Sequence, residues 1–159
     1  MNDMTHWSTE GSTEGATAGA TEIGAASLLL GGIVAEMAAG ATAVQRRAFF
    51  RAVGARIAAT HPIGEPEDLA ALATSINRVW QDHGWGMARF EVADDGLLIM
   101  HAGAGHQLSP ILGAATEQVL RPLLEGAYDA WLHMVGSGAG LCTRTLWWNE
   151  AETRLKHGR

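Results

Sequence analysis

The chain has 159 residues and a mass of 16.8 kDa, enough for one domain with a substantial core. Hydrophobic residues make up 47% and charged residues only 18%, which excludes a wholly disordered chain and favours association through a lightly charged surface. The net charge of −6 disfavours nucleic acid as a partner, and the single cysteine, Cys142, excludes an internal disulfide.

The first 24 residues predict a flexible acidic tail. Residues 8–24 repeat a Ser/Thr-Glu-Gly theme with almost no apolar bulk, which cannot offset the entropy of ordering the backbone. Residues 1–45 carry five acidic residues and no Lys or Arg, so the rest of the chain is nearly neutral at −1. We expect a single domain over residues 25–150 and a frayed C-terminus over residues 151–159.

The apolar stretch at residues 23–43 predicts a helix that packs on other helices. Acidic residues precede it, unlike the basic region of an export signal. It is interrupted by Glu36, Gly31, Gly32 and Gly40, so no membrane insertion is expected. The absence of such a signal favours a cytoplasmic location near the inner membrane, with the periplasm as the alternative. The helical spacing of its large apolar residues predicts an oligomer interface at Leu28, Leu29, Ile33 and Met37.

The remaining elements predict an α+β fold with four to five helices, two of them long. Helices are expected at residues 44–59 and 66–82, followed by an antiparallel hairpin at about 87–101 and a loop at 102–113. A long helix follows at 119–135, in which Pro122 either produces a kink or shifts the start to Arg121. A C-terminal strand at about 141–148 completes the small sheet.

No catalytic set, cofactor motif or metal site emerges from the sequence. The seven histidines lack the spacing of a zinc motif. Ser137 lacks the frame of a nucleophile elbow, and the glycines at 103–105 do not complete a dinucleotide fingerprint. A buried, inert Cys142 is favoured over a pair with His133. We therefore predict a protein that is not an enzyme.

Six tryptophans are an unusual number for this length. Trp80 and Trp131 lie on apolar helical faces and are expected in the core. Trp147 and Trp148 are adjacent on a strand, so they face opposite sides of the sheet. At least one of the two is expected to be exposed, buried against another chain or stacked on a ligand such as a sugar ring. We place both in the predicted oligomer interface.

An ordered series of segments from Ser27 to Trp148 resembles the D subunit of the bacterial cellulose synthase complex. The series begins with Ser27-Leu28-Leu29-Leu30 and Phe49-Phe50-Arg51-Ala52-Val53-Gly54, and continues with Leu98-Ile99-Met100-His101. Its most specific part is a Leu-Glu-Gly-x-Tyr-x-x-Trp run, matched here by Glu125, Gly126, Tyr128 and Trp131.

The resemblance implies a non-enzymatic accessory protein without a cofactor. It implies a homo-octamer, built as a tetramer of dimers, that organises synthase complexes or guides exported glucan chains into the ordered cellulose of a biofilm. Other cellulose synthase subunits, a proline-rich accessory protein and glucan itself are the implied partners. The family's passages are lined near the N-terminus, which here corresponds to Thr21, Glu22, Ile23 and Ser27. Because that segment is too small and flexible to stack on sugar, scaffolding is favoured over direct glucan binding.

Two other classes of function remain open at this point. Helices over a short antiparallel sheet can enclose an apolar pocket, so a small-molecule sensor is one alternative. A hydrolase is the other, and it requires His101, His133 and Cys142 to converge within hydrogen-bonding distance.

Overall fold

The computed structural model describes the backbone of residues 14–159 and the side chains of residues 24–159. The helices are α1 (Glu14–Gly40), α2 (Ala43–Thr60), α3 (Leu69–Asp82), α4 (Ala104–Leu112) and α5 (Thr116–Met134). The strands are β1 (Met87–Ala93), β2 (Gly96–Ala102), β3 (Cys142–Trp148) and β4 (Glu152–Gly158). This architecture confirms the predicted α+β class.

Side-chain caps define where two of the helices begin. Thr42 and Gln45 form a reciprocal capping box at the start of α2, and the Asp68 carboxylate accepts the Ala71 N–H at 2.7 Å at the start of α3. Each cap satisfies backbone donors that have no acceptor within the first helical turn. The α2 cap also separates α2 from α1 by only two residues, which fixes the junction between the two helices.

The four strands form one antiparallel sheet in the order β1-β2-β4-β3. One face of the sheet packs on α5 and α3, and its inward residues Ala88, Ile99 and Leu155 are buried. The opposite face carries the charged residues of β4 and the exposed Trp147. A second, smaller core unites α1 with α2 and α5 through Val34, Phe50, Val119 and Leu123.

The C-terminal residues form a central strand, so the prediction of a frayed end over residues 151–159 is wrong. β4 lies between β2 and β3, and its inward residues Thr153, Leu155 and His157 are buried. Only one of these three is apolar; the His157 ring lies within hydrogen-bonding distance of the Thr143 and Ser137 hydroxyls. Inward residues of β4 alternate with the outward residues Glu152, Arg154 and Lys156. Because both sets include polar side chains, the sequence does not show the apolar alternation typical of a strand.

The N-terminal boundary also differs from the prediction. The flexible tail was expected to reach residue 24, but α1 begins at Glu14. Residues 14–24 therefore belong to a helix, and residues 1–13 lie outside the described part of the chain. β4 likewise extends the sheet beyond residue 150, to Gly158.

A helix replaces the loop that was expected at residues 102–113. The glycines that suggested a loop have specific roles: Gly103 adopts a left-handed conformation before α4, with φ of 87°. A Cβ atom on Gly105 would lie 2.4 Å from the Glu150 carbonyl oxygen, so glycine allows α4 to approach the β3–β4 turn. The start of α5 at Thr116 likewise shows that Pro122 lies inside the helix and does not begin it.

Across the described residues, none of the helices has both the length and the hydropathy needed to span a membrane.

Candidate functional site

The outer face of α1 exposes large apolar side chains. Leu28 is 81% exposed, Leu29 67% and Ile33 41%, although all three are aliphatic. The opposite side of the helix uses Leu30 and Val34 to pack into the smaller core. Three of the four residues predicted for the α1 interface are thus exposed, while the fourth, Met37, is half-buried.

An apolar groove runs beside this exposed face. Its volume is about 270 Å³, and only apolar side chains line it, including Ile33 of α1, Phe49, Val53 and Ile57 of α2, and Trp85. Phe49 is itself largely exposed. A groove of this composition adjoining exposed leucines forms one continuous apolar surface, which water solvates poorly.

The glycines of α1 are not explained by contacts within the chain. A Cβ atom built on Gly24, Gly31, Gly32 or Gly40 would meet nothing within 4 Å. Glycine inside a helix nonetheless costs about 1 kcal/mol relative to alanine. The described structure of one chain therefore gives no packing reason for four glycines in this helix.

The crossing of α2 and α5 shows what a glycine does when packing requires it. A Cβ on Gly54 would lie 1.9 Å from the Leu123 carbonyl oxygen, and one on Gly126 would lie 2.0 Å from the Arg51 carbonyl oxygen. Both glycines are buried where the two helix backbones touch. Gly126 of the predicted family motif is thus required by the close approach of two helices.

The Glu125 and Asp129 carboxylates hold the edge strand β3 against α5. Glu125 is buried and accepts the Thr145 N–H at 2.9 Å, while Asp129, one turn further along α5, accepts the Thr143 N–H at 2.7 Å. Arg51 donates to both carboxylates and Arg47 donates to Glu125. The backbone N–H groups of Thr143 and Thr145 are therefore already paired, and the buried charge is neutralised.

Tyr128 and Trp131 of the family motif lie at the centre of the main core. Tyr128 accepts a hydrogen bond from the Trp80 indole at 3.1 Å and contacts His101 Nδ1 at 2.7 Å. The Trp131 indole donates to the His61 carbonyl at 2.9 Å. Both side chains are fully buried, which confirms Trp131 and Trp80 as core residues. The four motif residues therefore build the interior of the domain.

Burial sets the protonation states in this core. His101 is fully buried, and burial lowers its pKa to about 4, so the imidazole is neutral at neutral pH. The Trp85 carbonyl, 2.7 Å from Nε2, fixes the Nε2–H tautomer and leaves Nδ1 to accept the Tyr128 hydroxyl proton. Burial also raises the pKa of Tyr128 well above its usual range. These groups stabilise the core and are not accessible to a substrate.

The three residues required by the hydrolase hypothesis do not converge. His101 pairs with Thr153 of β4, whereas Cys142 pairs with Gly158, five residues further along the strand and about 16 Å away at ~3.3 Å per residue. The neighbour of Cys142, Thr143, points into the core, so the Cys142 side chain faces the other side of the sheet.

A polar cluster that sequence reasoning missed lies at the other end of α5. His157 Nδ1 lies 2.9 Å from the Thr143 hydroxyl and Nε2 lies 2.9 Å from the Ser137 hydroxyl, while the Asp129 carboxylate is 3.7 Å away. Burial lowers the pKa of His157, opposed by the Asp129 charge. Alternation along β4 was the available signal, but it was obscured by the polar residues on both faces.

No metal centre accompanies this cluster: within residues 24–159, the His, Cys, Asp and Glu side chains form no group of three or more arranged to hold an ion.

The adjacent tryptophans of β3 point to opposite sides of the sheet. Trp148 is half-buried and packs against the main core. Trp147 is 45% exposed, and the Arg154 guanidinium lies 5.2 Å from its ring centroid. The surface available at this pair therefore belongs mainly to Trp147.

The residues predicted to line a glucan passage fall at the border of the described region. Ser27 is half-buried on α1. Thr21, Glu22 and Ile23 also belong to α1, but their side chains lie outside the described residues.

Comparison with known proteins places these features in one family. The family model for the D subunit of cellulose synthase matches residues 17–158, which include both cores, all four strands and the motif of α5. No curated protein matches the chain significantly. Because the family model covers nearly the whole described structure, the chain belongs to the family of cellulose synthase D subunits.

Proposed function

We propose that this protein is a non-catalytic scaffold subunit that assembles with copies of itself and organises cellulose synthase complexes. Family membership supplies the link to cellulose synthesis and to other synthase subunits. The observation that carries the scaffold role is the apolar surface formed by the outer face of α1 and the adjoining groove. Such a surface is stable in water only when another apolar surface covers it.

A second copy of the chain is the occupant that fits this surface best. The exposed face of α1 offers leucines and isoleucine to a groove lined by apolar side chains, so each copy supplies both halves of the contact. The open glycines of α1 permit close approach of a partner helix, as Gly54 and Gly126 do within the chain. We extend this to a ring of eight copies, a tetramer of dimers, in which Trp147 serves as a further contact.

The ring gives the scaffold two routes to ordered cellulose. It fixes the spacing of synthase complexes near the inner membrane, on the cytoplasmic or periplasmic side, with a proline-rich protein as recruiting partner. Alternatively, exported glucan chains pass the segment around Thr21, Glu22, Ile23 and Ser27. The first route is favoured because small side chains near this segment offer little surface for stacking on a sugar ring.

Solution mass measured by light scattering tests the assembly directly. Eight chains of 16.8 kDa have a mass of about 134 kDa. Leu29→Glu places a charge on the proposed contact and is expected to lower the mass to that of one or two chains. Val92→Glu, which alters a side chain that is 80% exposed on β1, is the matched control and should leave the mass unchanged.

The scaffold role is tested by the cellulose that cells produce. In cells carrying Leu29→Glu as their only copy, we expect the total glucan to change less than its crystalline fraction, measured by X-ray diffraction. A wild-type chain that stays single and native in dilute solution would contradict the proposal, as would crystalline cellulose of normal quality from the dispersed variant.

The groove also supports a second candidate function, a sensor for an apolar small molecule. Its volume lies just below the usual range for ligand sites. A native protein of one or two chains with a ligand in this groove would favour the sensor over the scaffold.

A further inference from the structure

A basic cleft lies between the N-terminal parts of α2 and α5, away from the apolar face of α1. Its volume is about 330 Å³, within the range of sites that bind small molecules. Three arginines converge on it from the two helices, together with one carboxylate and one amide: Arg46, Arg47, Arg121, Glu117 and Gln118.

The charge of the cleft is opposite to that of the whole molecule. Three arginines and one glutamate on its wall sum to +2, whereas the chain as a whole carries −6. Of the nearby carboxylates outside the wall, Glu125 pairs with Arg47 as well as with Arg51, and Asp129 pairs with Arg51. The excess positive charge of the cleft is therefore only partly compensated by its surroundings.

The arginines keep most of their hydrogen-bonding capacity free. Arg46 donates to the Ala41 carbonyl at 2.5 Å, Arg47 to Glu125 at 2.5 Å and Arg121 to Glu117 at 2.7 Å. Each contact uses one of the five N–H donors of a guanidinium. These contacts also hold the three side chains at the cleft, so a ligand meets donors that are already oriented.

One donor of the cleft residues is buried without a partner. Arg121 Nε is inaccessible to solvent and makes no hydrogen bond to the part of the chain that the structure describes. The Arg121 side chain as a whole is 37% exposed, so a ligand in the cleft meets its other atoms and not Nε. In addition, Ala43 lines the cleft as the first residue of α2, where the N–H has no acceptor within the helix.

We propose that this cleft binds a phosphoryl group, as a phosphate monoester or inorganic phosphate. A phosphate monoester carries a charge of about −1.5 to −2 at pH 7, opposite in sign to the excess positive charge of the cleft walls. Its terminal oxygens accept the paired N–H groups of guanidinium forks, a geometry that a single lysine cannot supply. The site is independent of the scaffold function and involves no residue of the proposed α1 contact.

Titration with inorganic phosphate, followed by calorimetry at constant ionic strength, tests the site. We expect Arg121→Gln to weaken binding about tenfold or more, because it removes charge-assisted hydrogen bonds. Arg121→Lys, which keeps the charge without the fork, should give an intermediate affinity. Arg78→Gln, at an exposed arginine of α3 outside the cleft, is the matched control and should bind as the wild type does.

Three results would overturn the assignment. The first is no phosphate binding by the wild-type chain, and the second is equal binding by the wild type and a folded Arg121→Gln chain. The third is binding of citrate as tight as that of phosphate, which would indicate a generic anion site. Light scattering with and without phosphate provides a further test. If phosphate lowers the mass of the assembly at constant ionic strength, the cleft binds acidic side chains of a second copy instead of a phosphoryl group.

Discussion

At the residue scale, His101 joins the sheet to the helices through a directional chain of hydrogen bonds. The Trp80 indole donates to Tyr128, the Tyr128 hydroxyl donates to His101 Nδ1, and His101 Nε2–H donates to the Trp85 carbonyl. Only the neutral imidazole completes this chain, because the protonated form would present a second donor to the Tyr128 hydroxyl.

Stability should therefore depend on pH through His101. The unfolded chain takes up a proton near pH 6.5, whereas the folded protein resists it until about pH 4. The contribution of His101 to the free energy of unfolding is thus fully present above pH 6.5. It falls by about 3 kcal/mol as the pH drops from 6.5 to 4. Urea unfolding at pH 7.5, 5.5 and 4 measures this. His157, whose pKa is also lowered by burial, adds to the same trend.

Two variants separate the contribution of His101. His101→Gln removes the titrating group and should flatten the pH dependence, even if the variant is less stable at every pH. His106→Gln alters an exposed histidine of α4 and should keep the wild-type slope. Equal slopes for His101→Gln and the wild type would contradict the assignment.

Gly126 offers a second prediction at the residue scale. Gly126→Ala would place a methyl group 2.0 Å from the Arg51 carbonyl oxygen, and neither helix backbone can move without disturbing the core. We expect the free energy of unfolding to fall by about 3 kcal/mol, near the upper end for overpacking. Gly138→Ala is the control, since its new methyl group meets nothing within 4 Å. Similar stabilities for the two variants, measured in urea, would argue against a tight α2–α5 crossing.

At the scale of elements, the carboxylates of α5 act on one edge of the sheet. Glu125→Ala should expose the Thr145 amide to exchange while the Thr143 amide, held by Asp129, stays protected. Removing one partner from a buried ion pair is expected to cost about 3–5 kcal/mol. Hydrogen exchange followed residue by residue measures both effects.

The reciprocal variant supplies the control for this prediction. Asp129→Ala should raise exchange at Thr143 more than at Thr145. A uniform rise at both amides in both variants would mean that the strand opens as a unit, rather than being held at two separate points.

The elements that the sequence predicted are those in which large apolar residues repeat at clear helical or strand spacing. The stripe of α3 and the alternation of β1 and β2 carry enough large apolar residues to set their own limits, and those elements were predicted correctly. β4 was missed because buried Thr153 and His157 replace apolar residues, and the hydrogen-bonding partners of His157 lie 14 and 20 residues away in sequence. α4 was missed because its glycines serve packing rather than flexibility.

The interface at Leu28 and Leu29, proposed from their spacing, stays a prediction. The structure shows that both side chains are exposed. The apolar groove was not predicted, because it combines residues of α1, α2, α4 and α5 that meet only in three dimensions. The arginine cleft was likewise not predicted, since Arg121 lies more than 70 residues from Arg46 and Arg47 in the sequence.

At the scale of the whole molecule, a larger side chain at a glycine of α1 is expected to weaken assembly without weakening the fold of the single chain. Gly32→Leu fills open space on the outer face of a helix, so the single chain should keep its thermal stability or gain slightly from better helix propensity. The same leucine would keep a partner helix from approaching closely. We therefore expect a lower assembly mass by light scattering without a lower helix content by circular dichroism.

The control for this variant enlarges an exposed small residue elsewhere. Ala59→Leu lies near the end of α2, outside the groove, and should change neither mass nor helix content. An unchanged mass for Gly32→Leu would exclude the outer face of α1 as the contact.

Side chains pair with backbone groups at both edges of the sheet, which bears on how copies would join in the proposed assembly. Asn77 caps both backbone groups of Ala88 at one edge, as Glu125 and Asp129 cap β3 at the other. Strand addition between copies would build an open-ended ribbon, because every new copy presents another free edge. Because Ala88, Thr143 and Thr145 already have partners, we expect the proposed assembly to use helix contacts, whose fixed angle can close into a particle of finite size.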